Sequence, residues 1–86
     1  MISGFKEQSV GGGYTAAFKQ LGCAYLMLVD EHDQAPERFE DIDLVALCDD
    51  RTGIQLKMHI CKNPDDAARA IRVFTKYARH AGYSPY

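Results

Sequence analysis

Two short stretches of this 86-residue chain bring together side chains able to do chemistry. Asp30-Glu31-His32-Asp33 crowds three carboxylates around an imidazole, and His59 and Cys61 stand two residues apart. A hard cation needs several oxygens, and zinc needs His or Cys ligands in a defined array. The first stretch lacks the central Gly and distal Glu of an EF-hand loop. The second would put both side chains on one face of a strand, where Cys23 could complete a zinc site, but paired CxxC spacing is absent. No metal and no other cofactor is expected. For covalent catalysis a cysteine needs a base and an electropositive setting. Cys61 has His59 close by and a helix N-terminus just after it, which would lower its pKa. This is the best enzyme constellation in the chain, but 86 residues leave little room for a closed pocket. No catalytic residue is assigned. Gly11-Gly12-Gly13 is not followed by Lys-Ser/Thr and has no GxGxxG spacing, so it reads as a joint and not as a phosphate loop.

Charge gives a stronger signal than chemistry. Nine of the twelve acids fall in residues 30–50, with Arg38 as the one base among them. Residues 51–86 hold seven of the ten bases against only Asp65 and Asp66. The formal net charge of −2 therefore hides a dipolar molecule, and such a field bears on partners and not on fold. Asp30, Glu31, Asp33, Glu37, Glu40, Asp41 and Asp43 form the candidate partner-binding surface. Arg69, Arg72, Lys76 and Arg79, spaced three, four and three, share a helix face and form the alternative, anion-binding surface.

These residues need elements to hold them. Residues 1–13, ending in three glycines, read as a flexible N-terminal segment, and residues 14–86 as a single α+β domain. Tyr14 to Leu21 reads as a short helix capped by Thr15 and ended by Gly22, with a strand turning back at Gln20 to Gly22 as its rival. Cys23 to Asp30 is apolar at nearly every position, which suits an interior strand. Ile42 to Cys48 and Ile54 to Cys61 are strands joined by the turn Asp50-Arg51-Thr52-Gly53. If Asp50 sits opposite Ile54, then Leu44, Ala46 and Cys48 share a purely apolar face with Ile60, Met58 and Leu56. Val45 and Leu47 fall on a mixed face with Gln55, Lys57, His59 and Cys61.

Asn63-Pro64-Asp65-Asp66 is a helix start, and Gly82 a helix stop. Between them Ala67, Ala70, Ile71, Phe74, Tyr77, Ala78 and Ala81 recur at helical spacing, and this stripe should cover the apolar sheet face. The expected fold is α+β: a three-stranded antiparallel sheet with a C-terminal amphipathic helix on one face, in the order α-β-β-β-α. That order is similar to double-stranded-RNA-binding domains, a likeness of fold order alone. Those domains place a basic cluster where this chain has Asn63-Pro64-Asp65-Asp66, which would repel phosphate.

The expected function is a small non-enzymatic protein-interaction module, an inhibitor or adaptor of a larger nucleic-acid-handling complex, with phage-type inhibitors as a compatible class. Its expected partner is a protein, with a basic nucleic-acid-binding protein as the natural fit to the acidic surface. A homodimer is compatible, and direct nucleic-acid binding through the basic helix face is the alternative. A small thiol enzyme around Cys61 and His59 comes third. The longest apolar run, Cys23 to Val29, is far short of the about 20 residues a membrane span needs. No targeting signal opens the chain, so a soluble, cytoplasmic protein is expected.

Overall fold

The computed structural model describes residues 2–85. Five strands and one long helix follow one another: β1 (Lys6–Gly11), β2 (Tyr14–Leu21), β3 (Ala24–Val29), β4 (Leu44–Asp49), β5 (Gln55–Ile60) and α1 (Pro64–His80). The strands pair antiparallel in chain order, β1-β2-β3-β4-β5. A short 3-10 turn, Phe39–Asp41, lies in the connection from β3 to β4. Among the described residues no helix is long and apolar enough to cross a membrane.

The sheet corrects the sequence reading. It has five strands and not three, and among the described residues no helix precedes it, so the α-β-β-β-α order and the likeness to double-stranded-RNA-binding domains both fall. β1 is exposed at every position, so it carries no apolar alternation to betray a strand. Pairing with β2 holds it, with Lys6 opposite Phe18 and Ser9 opposite Thr15. The triglycine expected to be a joint is the hairpin turn. Gly12 and Gly13 occupy its two central positions at φ +63° and +82°, the left-handed pair that a primed turn demands.

Tyr14 to Leu21, expected as a helix, is β2. Its Ala16 and Ala17 are weak evidence for helix in isolation, and here each is wholly buried between neighbouring strands. Thr15, expected to cap that helix, instead ties β2 to the β3–β4 connection. Its hydroxyl donates to Gln34 Oε1 at 2.9 Å and accepts the Ala35 N–H at 2.9 Å.

The β4–β5 register is largely as read. Leu44 lies opposite Ile60 and Ala46 opposite Met58. A bulge places Cys48 opposite Gln55 and leaves Leu56 as the extra residue. Leu56 turns to the core. The face covered by α1 is the reverse of the expected one. Ala67, Ala70, Phe74 and Ala78 of the helix pack with Ala17, Leu26, Leu28, Val45 and Leu47. The hairpin alone misleads, because β2 and β3 add Ala17, Ala24, Leu26 and Leu28 to the Val45 face and make it the apolar centre of the sheet. Lys57 and His59, which made that face look mixed, lie on edge strand β5 and turn to the helix. Lys57 Nζ stands 4.8 Å from the Tyr77 ring centre, and His59 Nε2 lies 2.9 Å from Asp66 Oδ2. Ile2 and Phe5 close the other side of the same core.

The helix ends as its sequence dictates. Asn63 Oδ1 accepts the Asp66 N–H at 2.8 Å, and Pro64 fills the first helical position. At the far end Gly82 adopts φ +85°. The Tyr83 N–H then reaches the Ala78 carbonyl at 2.8 Å, and the Gly82 N–H that of Arg79 at 3.2 Å, which is the Schellman pattern.

Candidate functional site

The acidic connection between β3 and β4 is pinned at both ends. Asp30 Oδ1 accepts the N–H groups of His32 and Gln34 at 2.8 and 2.9 Å, an Asx-type turn that its short carboxylate favours. Asp33 follows at φ +58°, a left-handed position that Asp tolerates better than most residues. At the other end the Asp43 N–H donates to the Val29 carbonyl at 2.9 Å, and the Asp43 carbonyl accepts from Cys61 at 2.8 Å. The connection is therefore fastened to β2, to the end of β3 and to the turn before α1.

This fastening gathers Asp30, Glu31, Glu40, Asp41 and Asp43 around one cleft of about 290 Å³, with His32, Ile42, Cys61, Lys62 and Asn63 completing its wall. Five of the seven sequence-nominated acids thus converge. Asp33 shapes the turn and Glu37 is exposed, and neither lines the cleft. The carboxylates are not equally available. Arg38 Nε lies 3.2 Å from Glu40 Oε1 and 3.6 Å from Asp41 Oδ2. Glu31 Oε1 lies 3.4 Å from His32 Nε2, and both side chains are 78% exposed. Exposed pairs of this kind are weak, so a cation entering the cleft could displace them at little cost.

The four nominated bases stay on the outer face of α1 and are all exposed, but they do not act as one set. Arg69 is held by Asp66 at 3.2 Å. Arg69 and Arg72 border a broad, open hollow together with His59, Asp65 and Asp66, whereas Lys76 and Arg79 lie farther along the helix. Comparison with protein-family models, curated proteins and solved structures returned no match.

The histidine–cysteine constellation comes apart. His59 turns to Asp66. Burial first, then the charges of Asp66 and Asp43, push the Cys61 thiol up to about 11. The positive end of α1, expected to activate this cysteine, is occupied by Asp66. Cys23, the third member of the zinc set, is exposed in the turn before β3, at the strand end opposite to Cys61. Among the described residues no three His, Cys, Asp or Glu side chains are placed to hold a metal ion.

Asp66 is the residue that sequence reasoning undervalued. It read as one of two helix-start acids. It accepts from His59, from the Lys62 N–H at 3.0 Å and from Arg69. The His59 contact above all, then the Lys62 N–H, hold its carboxyl down at about 2. The local signal was present, since an acid at the third helical position is where a capping box reaches back.

Proposed function

We propose that this protein is a non-enzymatic interaction module that docks a basic element of a partner protein in the acidic cleft at the β3–β4 connection. The observation that supports it is the convergence of five carboxylates, from separate parts of a long connection, on one concavity beside the helix start. Lysine or arginine side chains are the complement of such a surface, and opposed potentials favour both encounter and register. An inhibitor or adaptor acting on a nucleic-acid-binding protein fits this chemistry. The high pKa of Cys61 works against the thiol-enzyme reading, because the thiol and not the thiolate is present at neutral pH.

The test is capture from native lysate with the intact protein and with Glu31→Lys/Glu40→Lys, each with and without nuclease. Both glutamates are exposed, so the variant should keep its fold and its helical circular dichroism. The expected result is a basic protein retained through nuclease by the parent chain and lost by the variant. Retention by the variant would sink the cleft assignment. A second reading, nucleic-acid binding on α1, draws on Arg72, Lys76 and Arg79, which have no carboxylate partner among the described residues. Its mark would be capture that disappears with nuclease and weakens steeply with salt.

A further inference from the structure

The sheet has two faces, and the helix covers one of them. On the other, Phe18, Met27, Ala46 and Met58 stand side by side across β2 to β5. Val29, Leu44 and Ile60 form the next row. Phe18 and Tyr25 meet edge to face on the same side, with ring centres 5.6 Å apart. Met58 is 51% exposed and Ile60 53%. Ile2, Phe5 and Tyr83 do not serve this face, because they pack with the core on the helix side.

We propose that a second copy of this chain covers the open face, giving a two-fold sandwich with the two sheets inside and the two helices outside. Charge and area both select this occupant. The first row contains one charged side chain, Lys6, on edge strand β1 opposite Phe18. The next row contains none, and the row through Tyr25 and Cys48 carries only the uncharged Gln20 and Gln55 at its ends. A charged partner would have to bury its own charges against apolar rows, at a desolvation cost nothing there offsets. An identical face brings only Lys6, at its edge, and a two-fold axis sets the same apolar patch against itself.

The molecule measures 32 × 29 × 20 Å, and the short axis suits two layers. An elliptical outline of 32 by 29 Å encloses about 730 Å², so a flat contact across the whole broad side would approach the roughly 800 Å² per partner that a standard interface buries. Two copies of one sheet also carry the same twist, so they stack at the aligned angle of about −30° with about 10 Å between layers. Met27 and Met58 are flexible enough to fill the remaining gaps.

The first measurement is solution mass by light scattering at about 100 μM, well above a micromolar dissociation constant. The expected value is about 19 kDa, twice the 9.6 kDa chain. Met58→Lys/Ile60→Lys places two charges where the single chain already exposes both positions. It should return the mass to 9.6 kDa with the helical circular dichroism unchanged. A parent mass of 9.6 kDa, or a folded variant that remains a dimer, overturns the proposal. Should the variant fail to fold, the parent chain decides by peroxide oxidation of Met58. The expected rate is several-fold slower at about 100 μM than at about 1 μM, and equal rates overturn the sandwich. Charge reversal at Glu31 and Glu40 leaves the mass untouched, so this test is independent of the cleft.

Discussion

At the scale of single residues, Asp66 joins the last strand to the helix. Its carboxylate caps the turn at Lys62, faces His59 on β5 and meets Arg69 one turn along α1. Each contact favours the charged form, so its pKa falls from the usual 3.8 to about 2. A carboxyl whose folded pKa is depressed stabilises the native state above its unfolded value and loses that contribution as the proton returns. The window is therefore pH 4 down to pH 2. Urea midpoints of the parent protein should fall across that window. In Asp66→Asn the midpoint should be lower at pH 7 and should decline less between pH 4 and pH 2. Parallel declines in the two proteins would assign the acid sensitivity to other carboxylates.

At the scale of elements, the turn between β2 and β3 depends on the C-terminal tail. Gly22 sits at φ +65°, and a Cβ there would run into the Tyr83 carbonyl oxygen, which also accepts the Cys23 N–H at 2.7 Å. Gly53 shares the left-handed conformation, at φ +73°, but has open space around it. Gly53→Ala should cost about 1 kcal/mol, the conformational penalty alone. Gly22→Ala should cost clearly more in urea denaturation, because the tail must also move. Equal costs would mean that the tail does not dock on the turn. Elements whose signals are local were legible in the sequence. The Asn63 cap, Pro64 and Gly82 fix α1 within a residue of its reading, and β3, β4 and β5 announce themselves by apolar runs and a turn. β1 and β2 were hidden. One has no apolar face to read, and the other has an alanine pair that becomes a strand only when partners flank it on both sides. The covered face was misread for the same reason, since its apolar centre is built from β2, β3 and β4 together and no single hairpin contains it. The acids of the cleft were legible as a composition, but their convergence depends on the contacts of Thr15 and Asp43.

At the scale of the whole molecule, the chain divides its work by direction. The acidic cleft lies at one end of the strands, the basic stripe on the outer face of α1, and the apolar rows on the far side of the sheet. All three surfaces rest on one thin core, and Ile2 and Phe5 are part of it. Ile2 is 6% exposed and Phe5 8%, packed with residues of β2, β3 and α1, so β1 leaves a hydrophobic anchor before it joins the sheet as an exposed edge. A flexible leader would make Phe5→Ala nearly silent, within about 0.5 kcal/mol. A core position predicts a loss of about 3 kcal/mol, the usual range for a buried phenylalanine, and in a domain of this size that is a large share of the total stability. The loss should appear as a shift of a single cooperative transition, followed alike by far-ultraviolet circular dichroism and by tyrosine fluorescence, because Phe5 belongs to the same core as the buried face of α1. Separate transitions for the two probes would show that the N-terminal hairpin unfolds on its own and that the five strands are not one cooperative unit.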